Sequence, residues 1–570
     1  MNSGKLISVA RGLAPADLIL KNARIVNVFS GEIEQGNVAV CEGNIAGIGD
    51  YREAREIVDL DGKYLVPGFI DGHVHLESSM LSAPQYARAV VPRGTLSMVT
   101  DLHEIANVAG IEGLRYVLNS ARKLPLDVFL MAPSCVPATH LETSGADLDA
   151  VALKQILRWK ETIGLGEMMN FPGVLNRDDG VLSKLRLASG KPSDGHAPGL
   201  SGRELNAYVA AGIQSDHEST TLEEAKEKLR RGVYVMIREG SSEKNLEALL
   251  PIVTERTLPR CMLVVDDRTC VDLLKDGDLD AVVRKAIGLG LDPISAIQMV
   301  TLNPATYFGL EGLGAVAPGY RANLVVIDDL ISFRISLVFH NGQMVARDGE
   351  PVFKVGSVAS NSLGHTVSVK SLRLGALRFP STDTNGVVEV PVIEIVPGQI
   401  VTRRRQEQLR IVNGDVLPEV SRDILKAAVI ERHKATGNVG VGFVRGFGLK
   451  AGALGSSVAH DSHNIVAIGT DDTSILTAVA EIERLQGGLV AANGNRVIAS
   501  LPLPVAGLLS ERSMEETVSV LANVESAASG LGSRLDSPFS TLSFLALPVI
   551  PDLRLTDLGL VDVNEFRLIS

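Results

Sequence analysis

The chain has 570 residues, 45% hydrophobic and 21% charged, more than one ordinary core organises, so several domains are expected. Its net charge of −12 argues against a nucleic-acid or anionic-membrane partner. No apolar run approaches the roughly 20 residues that a membrane span needs.

In chain order, residues 1–20 lack a basic segment followed by an apolar stretch, so no signal peptide and a cytoplasmic location are expected. Short strands are expected at 17–20, 23–28 and 37–41, and a similar set returns at 322–328 and 336–339 before the Asn341-Gly342 turn. Neither set can bury itself alone. Pairing them gives a small β-sandwich domain, 1–65 plus 313–355, that brackets the middle of the chain. Between them lie eight strand-like runs at 64–69, 96–100, 128–131, 163–166, 191–195, 213–215, 234–237 and 262–265. Segments of helical spacing, such as 203–211 and 222–231, separate them, the latter opening on a capping signal at Thr220-Thr221. Eight such units favour an α/β fold of TIM type, a (β/α)8 barrel over 66–312, against a doubly wound sheet.

Beyond Val355 the chain becomes richer in Val, Gly and Ser. Strand-like segments at 386–390 and 439–443, with helical patches at 421–432 and 473–486, predict a C-terminal α+β domain over 356–570. Arg403-Arg404-Arg405 has neither basic neighbours nor stacking aromatics and reads as a solvated face. Gly440-Val441-Gly442-Phe443-Val444-Arg445-Gly446 has one residue too many before its third glycine for a dinucleotide loop, and reads as a tight β-turn region. The four cysteines, Cys41, Cys135, Cys261 and Cys270, form no C-x-x-C pair and fit a reducing compartment.

The strongest chemical signal is Pro67-Gly68-Phe69-Ile70-Asp71-Gly72-His73-Val74-His75. Two histidines at i and i+2 can face one metal ion only where a strand has ended and the backbone turns, which Gly68 and Gly72 are expected to permit. Glu167, His196, His217 and Asp266 each follow a later predicted strand, the fourth, fifth, sixth and eighth. Carboxyl ends of strands are where barrel enzymes assemble their sites, so His73, His75, Glu167, His196, His217 and Asp266 are candidate metal ligands. Asp267 rivals Asp266, because a one-residue error at a strand end exchanges them. Asp101, His103 and Glu104 follow the second strand, as substrate or ligand-supporting contacts or as loop hydrogen bonds. Asp216 and Glu218 flank His217 in a possible orienting role. His433, His460 and His463, with Asp461, form a further polar cluster: an auxiliary metal site, a lid over the barrel mouth, or a hydrogen-bonded turn. Imidazole and carboxylate donors without thiolate suit Zn, Fe or Mn alike. The absence of Pro-Cys-x-x-Cys excludes the one-zinc deaminase architecture.

This constellation resembles the amidohydrolase superfamily, with His-x-His after the first barrel strand. The longer strings Asp71-Gly72-His73-Val74-His75-Leu76-Glu77-Ser78-Ser79-Met80, Asp101-Leu102-His103-Glu104-Ile105-Ala106-Asn107-Val108, Gly166-Glu167-Met168-Met169-Asn170, Gly195-His196-Ala197-Pro198-Gly199-Leu200-Ser201-Gly202 and Asp266-Asp267-Arg268 resemble its adenine deaminase branch. The resemblance covers nearly the whole chain. It implies hydrolytic deamination of adenine to hypoxanthine and ammonia in purine salvage, by hydroxide attack on C6. It implies a binuclear centre of Mn2+ or Fe2+, less readily Zn2+, with His73, His75 and Asp266 on one ion, His196 and His217 on the other, and Glu167 shared. Asp266, with Glu167 as a weaker alternative, is implied as the proton shuttle, and a homo-oligomer, a dimer, as the assembly. Another heterocycle or cyclic amide as substrate, or a non-catalytic scaffold of the same fold, are the competing readings.

Overall fold

The computed structural model describes residues 3–355, 363–397 and 399–569. The expected boundary at 356 therefore falls outside the described residues. Eight short parallel strands run through the middle of the chain: β1 (Phe69–Asp71), β2 (Thr95–Thr100), β3 (Asp127–Ala132), β4 (Thr162–Met168), β5 (Ser193–Gly195), β6 (Ser215–Asp216), β7 (Tyr234–Arg238) and β8 (Cys261–Val264). β1 to β5 hydrogen-bond in chain order, as do β6 to β8. The Gln214 amide donates to the Ser193 carbonyl at 2.9 Å across the step from β5 to β6. Val74–His75, just past β1, pairs in parallel with Asp266–Asp267, just past β8, bringing the two ends of the order together. The result is a mixed α/β fold on a curled parallel sheet. Both faces of the sheet are covered: all six residues of β2 are buried.

The sequence reading of 64–69 as one strand needs correction, because the strand divides at Gly68. Tyr64–Pro67 pairs antiparallel with Leu324–Ile327, whereas Phe69–Asp71 pairs with β2. Gly68 donates its N–H to the Asn323 carbonyl at 2.8 Å, and a Cβ there would stand 2.7 Å from Leu96 Cδ1. Tyr64–Pro67 thus belongs to a nine-stranded sheet that joins strands from Ala16–Asn27 to Ala54–Asp59 with the four returning strands from Leu324–Ile327 to Glu350–Pro351. The two sets meet in one hydrogen-bonded sheet whose inward residues share a core. Leu20, Ile25, Val40, Leu65, Leu324 and Phe339 share its core.

The C-terminal region is a second nine-stranded sheet backed by helix Asp472–Leu485, with a three-stranded sheet, Leu553–Thr556, Gly559–Asp562 and Arg567–Ile569, beside it. Two expectations fail here. Most of the helical patch at 421–432 is the strand Ile424–Ile430, every residue of which is buried; burial between two neighbouring strands overrides the helix preference of Leu, Lys and Ala. The strand expected at 439–443 forms, as Val439–Arg445, and runs through the glycine-rich stretch that also reads as a turn region; a Cβ on Gly440 would lie 1.9 Å from the Thr556 carbonyl oxygen of the adjacent hairpin. Arg403, Arg404 and Arg405 are solvent-facing, as read. Among the described residues no helix is long and apolar enough to cross a membrane, and all four cysteines are unpaired and buried.

Candidate metal centre

All six candidate ligands converge where the strands of the curled sheet end. His73 and His75 ride the segment that leaves β1, and the Asp266 amide donates to the His73 carbonyl at 3.0 Å. The turn expected at Gly68 and Gly72 is made differently. Neither glycine has positive φ; the left-handed residue is Asp266, at φ 57°. Glu167 lies inside β4, one residue before its end, while His196 and His217 directly follow β5 and β6.

Three donors form a tight triangle: His73 Nε2 to His75 Nε2 is 3.2 Å, His75 Nε2 to Asp266 Oδ1 3.4 Å, and His73 Nε2 to Asp266 Oδ1 3.6 Å. Glu167 spans two groups. Its Oε1 is 3.5 Å from His75 Nε2, and its Oε2 lies 2.8 Å from His196 Nδ1 and 3.3 Å from His217 Nε2. The His73 and His217 rings stack with centroids 4.0 Å apart. Donors bound to one ion at about 2.1 Å in tetrahedral geometry stand about 3.4 Å apart, so this spacing fits metal coordination. The Nδ1 atoms of His75 and His217 and Oδ2 of Asp101 are buried without a hydrogen-bond partner, as expected of a cluster organised by something other than protein contacts.

The electrostatics agree. Burial, with His217 and His75 beside it, pushes His73 down to about 3, so it is a bare imidazole at neutral pH. Burial opposes charge on His217, yet the Glu167 carboxylate raises it to about 9: the field here favours positive charge. Asp266, despite burial, is held well below the carboxylate range by the Arg238 guanidinium and the neighbouring histidines.

Arg238 is the functional residue that sequence reading missed. It ends β7, one position beyond the expected strand end, and its only signal was a charged residue closing a barrel-type strand. Its buried guanidinium donates to Asp266 Oδ2 at 2.9 Å and to both oxygens of Glu218. Glu218 Oε1 in turn lies 3.6 Å from His196 Nδ1 and 3.5 Å from His217 Nε2. Asp216 ties two ligand loops together, accepting from the Ala197 amide at 3.0 Å and from the buried Lys228 ammonium at 2.7 Å. Asp267 turns away from the histidine triangle and accepts from the Ser78 hydroxyl.

Asp101 Oδ1 accepts from His103 Nδ1 at 2.9 Å and lies 3.5 Å from His75 Nδ1. Glu104 contacts His460 and His463, which reach over from the C-terminal region. His433 does not join them; its Nε2 donates to the Ser462 carbonyl at 2.7 Å. The cavity over the cluster is walled by His460, Asp461, Phe544, Leu547, Ile550 and Ile400, all C-terminal. The four apolar members carried no sequence signal, since nothing distinguishes a lid leucine from a core leucine.

The amidohydrolase family model matches residues 64–349, and the adenine deaminase C-terminal domain model matches 399–567. A protein named adenine deaminase from Dehalococcoides mccartyi is 56% identical over 100% of this chain and 99% of its own length. The chain belongs to the adenine deaminase family of amidohydrolases. Further relatives are adenine deaminase 2 of Carboxydothermus hydrogenoformans, 48% identical over 99% of this chain and 98% of its own, and an adenine deaminase of Methanothrix thermoacetophila, 49% identical over 98% of each. Membership implies a divalent metal centre, and the imidazole and carboxylate donors described above are chemically suited to one.

Proposed function

We propose that the protein hydrolyses adenine to hypoxanthine and ammonia at the strand-end cluster, within a (β/α)8 barrel closed by the pairing of Val74–His75 with Asp266–Asp267. Since Tyr64–Pro67 belongs to the flanking sheet, that sheet takes about 1–67 with 313–355, the barrel about 69–312, and a C-terminal α+β domain 356–570. The observation that carries this reading is the Glu167 carboxylate, one oxygen toward His75 and the other toward His196 and His217, which is the arrangement a shared carboxylate needs. His73, His75 and Asp266 would hold one ion, His196 and His217 a second, and Glu167 both; the donor set suits Zn, Fe or Mn alike, and the family resemblance favours Mn2+ or Fe2+. Bound ions supply a field that lowers the pKa of water and so provide hydroxide near neutral pH.

The chain's own residues do the rest. Arg238 fixes Asp266 through Oδ2 and leaves Oδ1 turned to the reacting side, placed to take the proton from water and return one to the departing ammonia. The guanidinium, with the neighbouring histidines, holds Asp266 as a carboxylate. Glu218, pinned by the same arginine, faces the same His196 and His217 nitrogens as Glu167 does and would add a carboxylate to the second ion's donor set. His460 and Phe544, their rings stacked 4.5 Å apart, wall the cavity against water above the purine. Ammonia release from adenine, guanine, cytosine and cyclic amides, measured on protein reconstituted with Mn2+ or Fe2+, tests the reading. Turnover confined to a cyclic amide refutes adenine as substrate, and unchanged turnover in His73→Ala refutes the site.

A further inference from the structure

Among the described residues that line the cavity over the ligand cluster, every ionisable side chain but one meets a protein partner. The exception is Glu243, whose carboxyl receives no hydrogen bond and forms no ion pair. It sits in the loop 239–245 that follows β7. Backbone bonds fix that loop: the Gly240 amide donates to the Glu243 carbonyl at 3.0 Å, the Ser241 amide to the Asp267 carbonyl at 2.8 Å, and the Asn245 amide to the Arg238 carbonyl at 3.1 Å. A Cβ on Gly240 would stand 2.7 Å from the Asp267 carbonyl oxygen, so the loop lies close against the end of the sheet. The Glu243 side chain is half-buried. Burial pushes it up to about 8 against the pull of the Arg238 guanidinium, with Asp267, Asp266 and Glu218 adding to the rise. Charged or neutral, the group keeps an acceptor oxygen. A cavity-facing acceptor that the protein leaves unmet favours a ligand that brings a donor, and disfavours one that lacks it.

Adenine carries N–H donors at two places, the 6-amino group and one nitrogen of the five-membered ring. The amino group leaves during the reaction and belongs beside Asp266. The ring N–H is the donor that remains. We propose that Glu243 is a substrate-binding residue whose carboxyl accepts this ring N–H, so that the site selects a free purine base over 9-substituted purines such as nucleosides. The inference rests on adenine being the substrate, as proposed above. Phe544, Leu547, Ile550 and Ile400 in the C-terminal wall can cover the ring faces, and their side chains offer no competing acceptor. Glu243 takes no part in breaking the C–N bond, so its loss is read in KM rather than kcat.

The test is steady-state ammonia release by the full-length, metal-reconstituted protein and its Glu243→Ala and Glu243→Gln variants, on adenine and on 9-methyladenine. Glu243→Ala should raise KM for adenine by about 10- to 100-fold, the worth of a hydrogen bond to a charged group, with kcat and bound metal little changed. Glu243→Gln keeps an acceptor oxygen and should retain most of the affinity. The preference for adenine over 9-methyladenine should shrink in Glu243→Ala and persist in Glu243→Gln. An unchanged KM or an unchanged preference in Glu243→Ala overturns the inference, as does equal damage in both variants or a fall in kcat alone. Should Glu243→Ala fail to fold, Glu243→Met, of similar length and without an acceptor oxygen, is judged by the same criteria. Wild-type protein that releases no ammonia from adenine refutes the proposed reaction itself and this inference with it. Wild-type turnover with an unaltered Glu243→Ala refutes the role of Glu243 alone.

Discussion

Two groups of histidines, one at the strand ends and one in the C-terminal region, differ in what their ring nitrogens are given. At the strand ends, His73 Nε2 and His75 Nε2 face each other at 3.2 Å with a carboxylate beside them, and His75 Nδ1 has no partner. In the C-terminal region the rings are tied by hydrogen bonds: His433 to the Ser462 carbonyl, His463 to the Ala459 amide, His460 to Glu104. Nitrogens crowded against one another without protons between them need a cation; nitrogens already bonded to protein hold a loop in place. Residue type alone does not separate these roles.

The sharpest way to break the comparison is to remove the ions. Chelation should abolish ammonia release, with Mn2+ or Fe2+ restoring it, and His73→Ala should bind metal at least about 100-fold more weakly, exceeding the 10–100-fold cost of losing a supporting contact. Retained activity after exhaustive chelation, with metal content verified by atomic emission, contradicts the distinction. Next in size, Asp266→Asn should lower kcat by about 10²–10⁴-fold while metal is still bound, because a general base is lost. Arg238→Met leaves Asp266 and Glu218 buried without their cation and should cost about 3–5 kcal/mol in urea unfolding. A loss below about 1 kcal/mol means the guanidinium is replaceable by solvent.

The C-terminal side should respond more gently. Phe544→Ala removes the ring stacked on His460 at 4.5 Å, an interaction of about 0.5–1.5 kcal/mol, and should raise KM up to about tenfold with kcat little changed. A fall in kcat alone would place Phe544 in the chemical step instead. Smallest of all, His433→Gln removes or weakens one hydrogen bond to Ser462, worth about 1 kcal/mol, and should leave metal content and KM as they are. Loss of a metal equivalent in this variant would move His433 into the ligand group.

The sequence alone anticipated the eight strand regions and named six candidate ligands, because apolar runs and polar residues at their ends are local patterns that survive without coordinates, and its longer motif strings pointed to the family by resemblance. It also anticipated helix Asp472–Leu485, whose N-cap, Asp471, accepts from the Ser474 amide at 2.9 Å. Tertiary structure decided the rest. Ile424–Ile430 became a strand because neighbours on both sides buried it; Gly68 divided a run that reads as one; Asp266 rather than Asp267 turned to the histidines. Arg238, Phe544 and Ile400 entered the site only through contacts between distant parts of the chain. Local propensity is written in neighbouring residues, whereas a buried charge's partner and a cavity's wall are set by which surfaces meet once the chain has packed.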